Sequence, residues 1–323
     1  MVKILIIRLS SIGDIIHTFP MVYDIKNNIK DVCIDWVVDE SFKDLLKYNK
    51  NVNNVITVPF RKWKKNKIKL IYNFRNWYKQ LENKEYDFII DSQGLIKSAI
   101  LTRYFNGNVY GYDCSSAREK LASFLYKNKI KISKNVLATT KNRLLCQKIF
   151  NYNINLQHID FGIEEYFKEE NIKIVDYEYV IFFHAASKDE KKYPIENWIN
   201  VANHILQNSK LKIILPYGNK KEKQESFEIK NKINSDRVIV PEKIYSFSEI
   251  YFLIYGASFI IGVDTGLIHL SNALNKKTIA LYTNTDSKKT GIIETDISKN
   301  LGGIQLIPDY KEINLLFDKI MKA

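Results

Sequence analysis

Residues 3–14 read KILIIRLSSIGD, and residues 259–269 read FIIGVDTGLIH. Each stretch opens as a short, continuous apolar run, the pattern of a strand buried on both faces. Each then passes through small residues into a segment with helical spacing: Ser10-Ser11-Ile12-Gly13 in the first, Asp264-Thr265-Gly266 in the second. A strand that turns directly into a helix is the building unit of a doubly wound parallel sheet. One such corner in each half of the chain predicts an α/β protein with two doubly wound domains.

Outward from these corners the same alternation continues. Strands are expected at Lys3–Ile7, Val32–Val38 and Phe88–Ile90, with helices over Ile12–Ile25 and about Leu95–Phe105. The pattern weakens between about Ile154 and Asp176 and then restarts. Further strands are read at Tyr179–Phe183, Lys212–Leu215, Val238–Val240, Phe259–Val263 and Thr278–Tyr282. Helices are read at Ile195–Gln207 and Glu312–Met321, the first with Trp198, Val201, Ala202, Ile205 and Leu206 at helical spacing. Ligands of such sheets bind beyond the carboxyl ends of the strands.

The composition agrees. The 323 residues are long for one domain and comfortable for two. An apolar share of 46% with 26% charged excludes a disordered, collagen-like or coiled-coil chain. Lys plus Arg outnumber Asp plus Glu by 49 to 36, a net charge of +13 that calls for an anionic partner. Cys33, Cys114 and Cys146 stand far apart, which argues against a disulfide framework or a zinc site and for a reducing compartment. The apolar run between Lys3 and Arg8 is too short for a signal-peptide core, and no stretch reaches the length of a membrane helix.

The candidate site residues lie at the strand ends. Asp14 falls in the first turn of the first helix, as a carboxylate facing a ligand or, with Ser11, as an ordinary helix cap. Thr265 and Gly266 offer backbone N–H groups at a helix start, a setting that suits a diphosphate, and His269 lies one turn along from Thr265. An Asp or Thr cap with a half-buried His explains the same residues. His184-Ala185-Ala186-Ser187 ends the YVIFF strand and Lys191 follows, a phosphate cradle or a solvated charge run. Glu222 stands just inside the next helix, where it would accept ribose hydroxyls or favour the helix dipole. Arg61, Lys62, Lys64, Lys65, Lys67 and Lys69 form the densest basic run: a nucleic-acid site, an anchor for substrate phosphates, or a solvated loop. No GxGxxG or GxxxxGK[ST] sequence occurs, against a dinucleotide or P-loop enzyme.

In order along the chain, SSIGDIIHTFP (10–20), DWVVDESF (35–42), RKWKK (61–65), DSQGLIKSA (91–99), AREKLAS (117–123), HAASKDEKKYP (184–194), LPYG (215–218) and VDTGLIHL (263–270) resemble the lipopolysaccharide heptosyltransferases, glycosyltransferase family 9. RKWKK, QGLIKSA and AREKLAS resemble its type I branch, and the match runs from about residue 2 to residue 285. The resemblance implies a GT-B fold of two Rossmann-like domains facing a cleft. Residues 1–170 would bind the acceptor and 171–305 the donor ADP-heptose, with a C-terminal helix, 306–323, reaching back to the first domain. The implied reaction moves L-glycero-D-manno-heptose, with inversion, to the first Kdo of Kdo-lipid A, without a cofactor or active-site metal. A type II or III enzyme of the family, acting on a later core sugar, is the alternative.

Carried over position by position, the resemblance makes Asp14 the catalytic base and Lys191, with Ser187, the group that holds the diphosphate. Glu222 matches the ribose partner, Thr265, Gly266 and His269 the diphosphate and heptose contacts, and Asp264 the heptose hydroxyls. Ser10, Gly13, Arg61, Lys62, Lys64, Lys97, Arg118 and Arg143 fall where the family meets its acceptor. A monomer on the cytoplasmic face of the inner membrane follows, with no nucleic-acid partner. Two departures stand out. YTNTDSKKTG replaces a GPTDP-like sequence, and Ala186 replaces a common Thr, leaving fewer hydroxyls near the phosphates; Lys288 and Lys289 add nearby charge. A basic nucleic-acid-binding protein would show an RNA-binding signature that is missing here, and a non-catalytic relic would not be expected to keep Asp14 and Lys191.

Overall fold

The computed structural model describes residues 1–65, 77–79, 84–169 and 172–322, with backbone alone at 63–65, 165, 168 and 169. The chain divides into two compact units, Met1–Tyr166 and Phe167–Ala323.

The first unit holds a parallel sheet of β1 (Val2–Ile7), β2 (Val32–Asp39), β3 (Asn54–Val58), β4 (Glu85–Asp91), β5 (Asn106–Tyr112) and β6 (Asn128–Ile130), in the order β3-β2-β1-β4-β5-β6. The second holds β7 (Tyr179–Phe183), β8 (Lys212–Ile214), β9 (Val238–Ile239), β10 (Phe259–Val263), β11 (Thr278–Tyr282) and β12 (Ser298–Gly302), in the order β12-β11-β10-β7-β8-β9. Counted from its own first strand, each sheet runs 3-2-1-4-5-6, the Rossmann order. Strand order reverses between β1 and β4 in one unit and between β7 and β10 in the other. All four of these central strands bury apolar runs: Ile4, Leu5, Ile6 and Ile7 in β1, for example, are inaccessible to water. The register sets Ile7 beside Asp91, so β1 and β4 end together.

Four strands lie outside the expected set. β3, β5, β6 and β12 are edge or near-edge strands of sequence NVITV, NGNVYGY, NKI and SKNLG. They are half-solvated or very short, so they lack the continuous apolar run that marks the central ones.

The helix expected over Ile12–Ile25 is two helices, Ile12–Ile16 and Phe19–Asn28, with Pro20 in the first turn of the second. Proline has no N–H for an interior helix bond but suits a helix start. The joint is pinned from the interior. Thr18 Oγ1 donates to Asp14 O (2.9 Å), Asn142 Nδ2 donates to Thr18 Oγ1 and His17 O (3.1 Å each), and Tyr112 OH donates to Asn142 Oδ1 (3.0 Å). These bonds fix the turn that carries Asp14.

The C-terminal helix, Tyr310–Lys322, places Ile313, Phe317 and Ile320 in the core of the second unit, with Trp198, Val201 and Ile205 of the helix Ile195–Asn208. Phe317 packs on Phe259 of β10 (centroids 4.8 Å apart), and His204 Nε2 lies 3.0 Å from the Asp318 carboxylate. The apolar stripe at 313, 317 and 320 needed a core, and its own sheet supplied one. Among the described residues no helix is long and apolar enough to cross a membrane.

Candidate active site

In the first unit, β1 ends at Ile7 and the chain turns through Arg8–Ser11, with a cis peptide bond between Ser10 and Ser11, into the helix that bears Asp14. Asp14 Oδ2 accepts from Ser11 N (3.1 Å) and Ser11 Oγ (3.2 Å). Asp14 therefore does cap its helix, but that is only part of its environment. Arg8 Nη2 lies 3.0 Å from Asp14 Oδ1, and Arg118 Nη1 3.6 Å from Oδ2. The Arg8 side chain is only 8% exposed, and its Nη1 also donates to Ser92 O at the end of β4. The Asp14 side chain stays 25% exposed. Burial pushes its carboxyl up, but Arg8 above all, then the Ser11 N–H, His17 and Arg118, outweigh burial and hold it at about 2. Asp14 is thus a fixed, ionised carboxylate at the strand crossover.

The DSQG turn after β4 supports this corner. Asp91 Oδ1 accepts from Gln93 N and Gly94 N (2.8 and 3.1 Å), Asp91 Oδ2 accepts from Tyr126 OH (2.7 Å), and Gln93 Oε1 accepts from Leu9 N (2.9 Å). Gly94 has φ +67°, and a Cβ there would come within 3.3 Å of Arg118 N. Its carbonyl accepts from Glu119 N (2.9 Å), which seats the Arg118 segment against the turn. Lys141 adds a third cation. Its Nζ donates to Ser116 O (2.6 Å) and lies over the Tyr112 ring. Burial, then the neighbouring charges of Lys134, Arg8 and Arg118, pull its pKa down to about 8. Arg8 and Lys141 escaped the sequence reading. Arg8 left one signal: a lone charge directly after a buried strand needs a buried partner, and Asp14 is the first carboxylate along the chain.

The other residues expected to meet the acceptor are spread along the unit. Arg61 stacks on Phe42 (4.4 Å from guanidinium carbon to ring centroid) and Lys62 pairs with Glu40 (2.8 Å), both side chains exposed. Lys97 Nζ lies 5.9 Å from the Phe60 ring centroid. The side chain of Lys64, and all of Lys67 and Lys69, lie outside the described residues. Ser10 and Gly13 flank Asp14 in the corner.

Arg143 corrects the resemblance. Its Nε and Nη2 donate to the two Asp24 carboxylate oxygens (2.7 and 3.0 Å), and Nη2 also reaches Asn155 O (3.1 Å). Both partners are buried, and the pair ties helix Ala138–Phe150 to helix Phe19–Asn28. Nε and Nη2 are engaged in the interior, and the side chain is buried rather than presented to an acceptor. Arg143→Met strands the Asp24 charge and should cost about 3–5 kcal/mol of stability in urea denaturation, while the acceptor KM of the folded enzyme holds. A raised acceptor KM with intact stability would restore the acceptor role.

In the second unit three elements converge. Lys191 closes a short turn, Asp189–Lys191, after β7, and its Nζ lies 2.6 Å from Asp264 Oδ2 at the end of β10. His269 Nε2 lies 4.0 Å from Asp264 Oδ1. Thr265 caps the helix Gly266–Ala273 with extended backbone and no side-chain cap bond. Ser187, in the loop after β7, is exposed. Glu222 folds back on its own loop: Oε2 accepts from Gly218 N and Oε1 from Asn219 Nδ2, both at 2.6 Å. Each carboxylate oxygen has a second lone pair for a further donor. His184 is buried with Nε2 3.2 Å from Ser226 Oγ, and burial lowers its pKa. The departing YTNTDSKKTG segment forms a short helix, Ser287–Thr290, capped by Asp286, which Lys289 also approaches at 3.6 Å. Among the described residues no group of three His, Cys, Asp or Glu side chains converges as a metal site needs.

A duplicated Rossmann frame with its charged groups gathered at the strand crossovers is the frame of the GT-B glycosyltransferases. A family model, glycosyltransferase family 9 (heptosyltransferase), matches residues 74–316. The chain belongs to that family. The lipopolysaccharide heptosyltransferase 1 of Escherichia coli O18:K1:H7 is 34% identical over 287 residues, 88% of this chain and 86% of that protein. The solved E. coli heptosyltransferase WaaC with ADP is 30% identical, with TM-score 0.89 over 98% of this chain and 99% of that one. WaaC with ADP-2-deoxy-2-fluoro heptose gives TM-score 0.86 at the same identity and coverage.

Proposed function

We propose that this chain moves L-glycero-D-manno-heptose from ADP-heptose to the first Kdo of Kdo-lipid A, inverting the anomeric centre. The observation that carries the chemistry is Asp14, ionised, partly open and held by Arg8. In this reading Asp14 takes the proton of the Kdo hydroxyl as its oxygen attacks the anomeric carbon. The name shared by its relatives, lipopolysaccharide heptosyltransferase 1, supports the substrates, as do the ADP and fluorinated ADP-heptose of the WaaC structures.

The unit 1–170 takes the acceptor, through Ser10, Gly13, Arg61, Lys62, Lys64, Lys97 and Arg118. The unit from 171 takes the donor. There Lys191 and Ser187 hold the diphosphate and offset the charge of departing ADP. Thr265, Gly266 and His269 add diphosphate and heptose contacts, Asp264 meets heptose hydroxyls, and Glu222 accepts from ribose. The enzyme works as a monomer at the cytoplasmic face of the inner membrane. The test is incubation with ADP-heptose and Kdo-lipid A, followed by mass spectrometry. The expected result is a gain of one heptosyl unit. A gain only on acceptors that already carry heptose points to a type II or III activity instead.

The cations predict a salt effect. Replacing Arg61 and Lys62 with Ala should raise the acceptor's apparent KM and flatten its salt dependence, since each such charge near an anionic surface contributes about 1 kcal/mol that salt screens. Steady-state kinetics across a salt series checks this, with the donor KM expected to hold.

A further inference from the structure

In the first unit, the helix Ile96–Leu101 packs against a 3-10 turn, Lys120–Leu125. Each element leaves two large apolar side chains in water. Leu121 is 63% exposed and Phe124 69%; Ile100 is 45% exposed and Ile96 is also exposed. Positions i and i+3 of a 3-10 turn eclipse one another, so Leu121 and Phe124 project from one side. Ile96 and Ile100 share a helix face in the same way. A cluster of exposed apolar groups on a soluble surface marks a contact with something apolar.

The charges around it say what. From Ile96 to Ile130 there are six basic residues, Lys97, Arg103, Arg118, Lys120, Lys127 and Lys129, and two acids, Asp113 and Glu119. Glu119 is engaged by Ile96 N (2.6 Å) and Asp113 by Ser115 and Ser116. Lys129 Nζ lies 5.7 Å from the Phe124 ring centroid, so a cation stands directly against the apolar patch. Protein interfaces are depleted in Lys. Apolar side chains ringed by Lys and Arg are the pattern of a surface lying in the headgroup region of an anionic bilayer.

We propose that Ile96, Ile100, Leu121 and Phe124 form the face by which this protein docks on an anionic phospholipid bilayer. Leu121 and Phe124 enter the acyl boundary and the surrounding Lys and Arg meet headgroup phosphates. The patch is continuous in sequence with Arg118, which touches Asp14, so docking brings the candidate acceptor corner to the lipid surface. The inference rests on the proposed function for its purpose, but the binding itself is measured without donor or acceptor.

The probe is co-sedimentation with vesicles of phosphatidylcholine alone or mixed equally with phosphatidylglycerol, containing no glycolipid acceptor. The full chain should bind the mixed vesicles and release in high salt. Leu121→Ser with Phe124→Ser should weaken that binding by about tenfold or more, with an unchanged melting temperature and unchanged ADP affinity. Replacing Lys120, Lys127 and Lys129 with Ser should abolish the preference for phosphatidylglycerol. Absent vesicle binding, or equal binding by the Leu121/Phe124 variant, overturns the proposal. So does a sedimentation-velocity dimer that this variant dissolves while vesicle binding persists, which would make the patch a contact between copies of the chain. Failure of heptosyl transfer with intact vesicle binding would count against the proposed function and leave the docking face standing.

Discussion

Asp14→Asn lowers turnover by roughly 10²–10⁴, the range for losing a general base, and leaves ADP affinity unchanged. Asparagine keeps the size of the side chain and an oxygen for the Ser11 donors, but it cannot take a proton. The pH profile sharpens the test. A base works when deprotonated, and the Asp14 carboxyl is held at about 2, so it is fully ionised at every pH where the enzyme works. The kcat/KM profile should show no acid limb from Asp14 near neutrality. Arg8→Gln removes the largest lowering influence while burial remains, so the pKa rises and an acid limb moves up into the measurable range. Near-normal turnover in Asp14→Asn, with the fold intact, would leave Asp14 as a helix cap and nothing more.

Lys191→Ala should lower kcat by about 10²–10³, the usual loss when one preorganised charge-stabilising group is removed. ADP affinity should fall by less. Lys191 already lies 2.6 Å from Asp264 in the resting protein, so it is oriented before the donor arrives. In the proposed reading its full effect comes as negative charge builds on the departing diphosphate. Stopped-assay turnover and ADP titration, run on the same variant, separate the two losses. If neither changes, the Lys188–Lys192 run is a solvated surface.

Much of the frame was legible because burial writes itself into composition. The KILII, YVIFF, FIIGV and TIALY runs are strands covered on both sides, and such strands admit little but apolar residues. NKI and SKNLG have no such constraint at a sheet edge, so their sequences carry almost no strand signal. The corner residues Asp14, Lys191, Asp264 and His269 were legible as small-residue turns after those runs, and the last three do meet. The pairings were not legible. Arg8 reaches Ser92, and Arg143 finds Asp24, across gaps of 84 and 119 residues. Only the folded sheet decides those contacts, which is why Arg143 read as an acceptor contact and Arg8 was passed over.

The two units share one strand order, and in both a charged corner follows the first strand of the sheet: Arg8 and Asp14 after β1, Lys191 after β7. Architecture and chemistry are therefore written in different letters of the same chain. Random mutagenesis should separate them. Screens for heat tolerance will select among positions such as Ile6, Ile181 and Ile261, whereas screens for altered sugar or acceptor choice will select among corner positions such as Ser10, Ala186 and Thr265. In the proposed reading, with the acceptor on one unit and the donor on the other, new specificities can accumulate in one unit while the other keeps its ligand. A duplicated frame of this kind is built to diversify one substrate at a time.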